Sequence, residues 1–222
     1  MFIGHFALGL ASKRLAPGTS LATTLAAAQL ADIVWPVLLL AGVEHVTIAP
    51  GDTAFTPLRF DAYPISHSLL TLAFGGLVFG GLHFARFRRG GVALLLALLV
   101  ASHWLLDFVS HRPDMPLTPW GPRRLGLGLW NSVPATLVVE GLLFCLGVAA
   151  FLSASRAKDA VGRWALVGLL AFLVGAYVAN VMGPPPPGVS AIAWIGIAGA
   201  AVLLPWAAWA DRHRSTLSPT GG

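Results

Sequence analysis

Long uninterrupted apolar runs organise this chain, with no polar alternation between them. A bilayer-spanning helix needs about 20 mostly apolar residues, and six stretches meet that length: about 20–43, 65–85, 91–110, 133–153, 163–182 and 189–210. Residues 2–12 (FIGHFALGLAS) are apolar but too short to span. Lys13 and Arg14 follow this segment and no basic residue precedes it, which argues against a secretory signal. It predicts a short helix that dips into the bilayer or lies on it. Two long connections (IAPGDTAFTPLRFDAYP and HRPDMPLTPWGPRRLGLGLWNS) are rich in Pro, Gly and aromatics. Long ordered loops on one face usually carry function. Gly183 to Gly188, with four prolines, reads as a stiff connector, and STLSPTGG at the end as frayed. No internal repeat is visible. The pattern predicts one all-α membrane domain over 1–222, about six spanning helices plus a short N-terminal helix.

Composition agrees. Of 222 residues, 56% are hydrophobic and 10% charged, against about 25% charged in soluble domains. Mean hydropathy is +0.77. A soluble enzyme, a disordered chain and a nucleic-acid-binding domain are excluded. The pI near 10.4 does not restore the last, because the basic residues form scattered short clusters and not one stripe. The single cysteine, Cys145, allows no intramolecular disulfide and leaves the redox compartment open.

Orientation follows from Lys and Arg. Lys13, Arg14, Arg86, Arg88, Arg89, Arg156, Lys158, Arg163, Arg212 and Arg214 fall on one side, Arg59, Arg112, Arg123 and Arg124 on the other. Ten against four predicts cytoplasmic termini and extracytoplasmic long loops, in a bacterial inner membrane.

Charge at mid-membrane is expensive, about 2.5–3.5 kcal/mol per ionised group. Asp32, Asp107 and Glu140 all lie in apolar runs with no Lys or Arg in the same run. Together they would cost roughly 8–10 kcal/mol, as much as a whole domain's stability. Protonation, histidine or a cation must compensate. His103 and Asp107 are four apart and share a helix face, which His111 extends by a turn. Such a pair either binds a metal ion from a rigid surface or forms a buried hydrogen bond locking one helix to another. At 1.5 Å per residue from the cytoplasmic side, Asp32 lies about 18 Å up, His103 about 20, Asp107 about 26 and His67 about 28. His5 reaches roughly 12 Å and needs a tilted helix to join them.

Other polar residues have plainer readings. Ser66 is a candidate N-cap beside His67. Glu44 and His45 read as wet-loop residues, His83 as interfacial, His213 as a solvated tail. The eight Trp residues read mainly as belt anchors. Gly75, Gly76, Gly80 and Gly81 read as a close-packing surface. No GxSxG, P-loop or CxxC motif is present.

The ordered set of His5 in GHFALG, Asp32 in QLADIVWP, His67 in SHSLL and His103/Asp107 in SHWLLD resembles the YdjM-like membrane-bound metal-dependent hydrolases of bacteria. That family is grouped with zinc-dependent phospholipases C and single-strand nucleases. The resemblance covers residues 4–110 and implies metal ligation by His5, Asp32, His67, His103 and Asp107. Two features depart from it. DIVWP stands where the family has an acidic, His-containing turn, and no second HxxxD pair follows residue 111. One or two ions are therefore expected in place of three.

The expected activity is hydrolysis of a lipid-like phosphoester or ester, or of another small molecule, in the outer half of the bilayer. A divalent metal, zinc first for a mixed N/O set, would lower the pKa of bound water to about 7. Glu140 is the expected proton-transfer group, with His111 as a possible further ligand. Arg112, with Arg123 and Arg124, would hold an anionic group. The loops around Asp61 and Trp120–Trp130 would form a lid. The rival is a small transporter or proton/cation relay built on the same acids and histidines; a structural role for the His–Asp pairs is the third reading. Oligomeric state is not encoded legibly.

Overall fold

The computed structural model describes residues 1–217. Among them the order is α1 (Ile3–Ala11), α2 (Leu21–Ala28), α3 (Leu30–Leu40), β1 (His45–Ile48), β2 (Leu58–Ala62), α4 (Leu69–Phe87), α5 (Gly90–Ser110), β3 (Met115–Pro116), β4 (Arg124–Leu125), α6 (Val133–Ala154), β5 (Ser155–Ala157), α7 (Ala160–Met182), α8 (Val189–Arg212) and β6 (Arg214–Thr216). The strands pair only as small antiparallel ribbons, β1–β2, β3–β4 and β5–β6. The architecture is an all-α bundle.

Helices α4 to α8 are long and apolar enough to cross a membrane, with mean hydropathy from 1.4 to 2.2. Their outward faces carry Leu77, Leu94, Leu142, Leu146 and Ile195, all exposed. So much outward apolar surface suits lipid, not water. Trp164, Trp194 and Trp209 lie on this outside, but Trp35, Trp104 and Trp130 are buried and belong to the interior, not to a belt.

The expected first span is not one helix. It breaks at Gln29 (φ −106°, ψ 12°), and α2 and α3 meet there at 58°. Pro36 inside α3 withholds a further helical N–H, and it sits where Gly196 of α8 leaves room: a Cβ there would lie 2.7 Å from Pro36 Cγ.

Helix α1 is packed inside the bundle and not laid on its outside. It is a core element, burying Ile3, His5, Phe6, Ala7 and Leu10 against α2 and α6. Gly147 makes this possible, since a Cβ there would come within 2.5 Å of the Ala7 carbonyl oxygen. Gly147→Val is therefore expected to destabilise the fold by about 1–3 kcal/mol, the usual cost of overpacking. Thermal unfolding in detergent checks this. The α4–α5 hairpin closes in the same way, Gly76 against Ala97 and Gly80 against Ala93. Gly81, by contrast, faces open space.

The N-cap of α4 is Ser68, whose side chain accepts Thr71 N–H, and not Ser66. His213 is no free tail residue either: its Nδ1 lies 2.8 Å from Asp159 Oδ2. Ser215 and Thr216 belong to β6. From Ser218 onward the expected frayed end lies outside the described residues.

The two long loops are built structures. In the β1–β2 ribbon the Asp61 carboxylate accepts from Thr47 Oγ1 at 2.5 Å and Arg59 Nε at 2.9 Å. The Thr47 hydroxyl first, then Arg59, hold the Asp61 pKa below its usual 3.8. Because the folded value is depressed, this support is present at neutral pH and is lost as pH falls through the acid range. Protection factors of the β1–β2 amides, with the intrinsic pH dependence of exchange divided out, should thus fall selectively as pH drops below about 4. Across the loops, Arg112 bridges Asp52 (2.6 Å) and Asp114 (3.1 Å). Tyr63 Oη donates to Asp114 at 2.7 Å. Burial and the neighbouring Asp114 push the Tyr63 phenol well above its ordinary pKa, so it stays a donor.

Candidate metal centre

Five side chains from four separate segments meet near the loop end of the bundle. His5 comes from α1, Asp32 from the first turn of α3 just past the break, His67 from the turn before α4, and His103 and Asp107 from successive turns of α5. They form two overlapping triads, His5–His103–Asp107 and Asp32–His67–His103, each with donor atoms within 4.8 Å of one another. These groups of His and Asp could hold a metal ion.

Separations support that. His103 Nε2 lies 3.2 Å from Asp107 Oδ2 and 3.8 Å from Asp32 Oδ1. His67 Nε2 lies 3.5 Å from Asp32 Oδ1 and 3.8 Å from Asp107 Oδ2. Donor atoms around a tetrahedral ion with ~2.0 Å bonds stand about 3.3 Å apart. His5 Nε2 reaches Asp107 Oδ1 at 3.0 Å, and the Met1 ammonium pairs with the same oxygen.

The tautomer of His103 decides whether a cation belongs here. The break at Gln29 frees the Ala28 carbonyl, which accepts the Nδ1–H of His103 at 2.9 Å. A neutral ring then carries its lone pair on Nε2. That atom has no hydrogen-bond partner among the described residues, yet it faces two carboxylates. A lone pair opposite carboxylate oxygens is repulsive unless a metal ion or a proton lies between them. The rings of His5 and His103 stack at 3.6 Å and 2°, so a positive charge on both at once is strongly disfavoured. A metal ion could take the place of that proton.

Exposure sets the direction of access. The side chains of His5, His67, His103 and Asp107 are at most 4% exposed, whereas that of Asp32 is 42% exposed. Of the five side chains only that of Asp32 reaches the protein surface.

Glu140, His111 and Arg112 each hold other partners beside the cluster, though Glu140 Oε1 has none among the described residues. Glu140 is fully buried, and its Oε2 accepts the backbone N–H of Phe2 (2.8 Å) and Gly4 (3.2 Å). It caps α1, whose N-cap residue Phe2 makes no side-chain cap. His111 lies in the loop packing, 3.0 Å from Asp114 Oδ1 and tilted against Trp130 with ring centroids 4.2 Å apart. Arg112 is satisfied by its two aspartates, while Arg123 and Arg124 are exposed.

Two residues gained importance that sequence reasoning missed. Glu44 is buried, and its Oε1 accepts the N–H of Ile65 (2.7 Å) and Ser66 (2.8 Å). Ser66 Oγ touches both Glu44 Oε2 (2.5 Å) and His67 Nδ1 (2.6 Å). The contact spans 22 positions, so no local spacing reveals it.

Comparison with family models, with characterised proteins and with solved structures returned no match to this chain. The functional reading therefore rests on the geometry.

Proposed function

We propose that this chain is a membrane-embedded metal-dependent hydrolase of the YdjM-like kind, acting on a lipid-like phosphoester or ester. The observation that carries the proposal is the unpartnered His103 Nε2 held 3.2 and 3.8 Å from two carboxylates, among side chains of which only Asp32 reaches the surface. His67, His103, Asp32 and Asp107 would hold one ion; because His103 has only Nε2 to give, a second ion would rest on His5 and Asp107 Oδ1. Mixed imidazole and carboxylate donors favour zinc. An ion held there supplies a Lewis acid that polarises an ester or phosphoester oxygen and acidifies water.

The protein does the rest. Buried His5 and His67 keep bulk water away from the inner side. Asp32, at the open side, can take a proton at its Oδ2. Glu140 acts by holding α1, and with it His5, instead of moving protons. The basic clusters at the opposite end favour an extracytoplasmic site in a bacterial inner membrane. Metal analysis of the purified protein tests the reading: about one or two zinc ions per chain are expected, followed by hydrolysis in a panel of lipid esters and phosphoesters. Protein with no stoichiometric metal would sink it.

A proton or cation relay is the second reading, favoured by the 58° break beside Asp32. Transporters place such broken helices at their ion sites. In that case reconstituted vesicles show proton or cation flux and Asp32→Asn abolishes it, with no hydrolysis in the panel.

A further inference from the structure

We infer that Glu44 and Ser66 form a hydrogen-bond relay that fixes the tautomer of His67 and so turns its Nε2 into an electron-pair donor toward the centre. The inference deepens the metal-site reading and rests on it for its consequence, though not for the relay itself.

The proton order follows from counting donors. Glu44 Oε1 takes two backbone N–H groups, from Ile65 and Ser66. Its Oε2 accepts the Ser66 hydroxyl at 2.5 Å. With its single proton committed to the carboxylate, Ser66 Oγ can only accept from His67, whose Nδ1 lies 2.6 Å away. Nδ1 therefore carries a hydrogen, and in the neutral ring Nε2 holds the lone pair, directed to Asp32 Oδ1 at 3.5 Å and Asp107 Oδ2 at 3.8 Å. All three residues are buried, so water does not compete for these bonds. His103 reaches the same tautomer by a different route, through the Ala28 carbonyl. Both Nε2 donors of the Asp32 triad are thus set by a partner on the far side of the ring, which is how outer partners tune ligand basicity and orientation.

This relay can be reversed by a near-isosteric change. In Glu44→Gln the two backbone N–H groups require an oxygen at the Oε1 position, which places the amide NH2 where Oε2 stood. That NH2 donates to Ser66 Oγ. The Ser66 hydroxyl loses its acceptor, and the one left to it is His67 Nδ1. Since leaving a buried donor unmade costs about 1–3 kcal/mol, the hydroxyl turns to Nδ1 and the imidazole proton moves to Nε2. A protonated Nε2 cannot ligate. Ser66→Ala removes the relay without reversing it, and Ser66→Thr retains the hydroxyl.

The experiment uses the full chain in detergent, with 15N-labelled histidine and His67 assigned by its His67→Gln variant. In wild type the His67 Nδ1 should report a bound proton with or without zinc, and Nε2 should be free of a proton when zinc is bound. Glu44→Gln should lose the proton at Nδ1 and bind zinc about 10–100-fold more weakly in competition titration. Ser66→Ala should give a mixed tautomer and a smaller loss, and Ser66→Thr should restore the wild-type pattern. Wild type with no proton at Nδ1 overturns the inference without any variant. So does Glu44→Gln with the wild-type tautomer and unchanged zinc affinity. The expected tautomers in a protein that binds no zinc would uphold the relay and sink the hydrolase reading, so the two fail separately.

Discussion

Asp107→Asn is expected to strip the protein of its divalent ion while leaving the fold intact. The Asp107 carboxylate is the point on which His5 (3.0 Å), His103 (3.2 Å) and His67 (3.8 Å) converge. Asparagine keeps the shape and removes the charge that opposes a divalent cation. The affinity loss should exceed the roughly 10–100-fold that follows removal of an outer partner, and hydrolysis should fall to background. His103→Ala should behave alike, because His103 belongs to both triads. His5→Ala and Asp32→Ala each touch one triad and should retain part of the metal. Elemental analysis of the purified variants, with circular dichroism as the fold control, decides the matter. Wild-type metal content in both Asp107→Asn and His103→Ala would refute the ligand assignment.

Glu140→Leu is expected to act on stability. Its Oε2 is the acceptor for Phe2 and Gly4 N–H at 2.8 and 3.2 Å. The buried Gly4 donor left unmade costs about 1–3 kcal/mol, and the half-buried Phe2 donor adds less than that. The first turn of α1 should loosen and carry His5 away from Asp107. Chemical or thermal unfolding in detergent measures the first effect, and hydrogen exchange along α1 the second. Glu140→Gln keeps an oxygen for the two N–H groups and should preserve α1. If Glu140→Gln lost turnover while α1 stayed protected, Glu140 would instead be the proton-transfer group.

The ligand set shows how far a linear reading reaches. His103 and Asp107 are legible because helix periodicity alone puts them on one face. Asp32 and His67 are legible because polar groups in apolar runs need a reason. His5 was the doubtful member, and what brings it in is the burial of α1 against α6, made possible by the absence of a Cβ at Gly147. Glu140 looked like chemistry for the same reason that Asp32 did. Its burial under the first turn of α1 shows that an intramembrane acid can also serve a backbone terminus. Glu44 looked like a wet loop residue because its partners, Ile65 and Ser66, are contributed by the far end of the loop.

Composition and hydrophobic pattern by themselves determined an all-α membrane bundle, the approximate spans and most of the polar residues that could hold a cation. These follow from burial and helix period, which are local properties of the chain. Tertiary structure decided the break at Gln29, the interior place of α1, the proton positions on His103 and the company of Glu140 and Glu44. Each of these depends on which backbone carbonyl, amide or hydroxyl lies opposite a side chain across the fold, and that pairing is written in no single stretch of sequence.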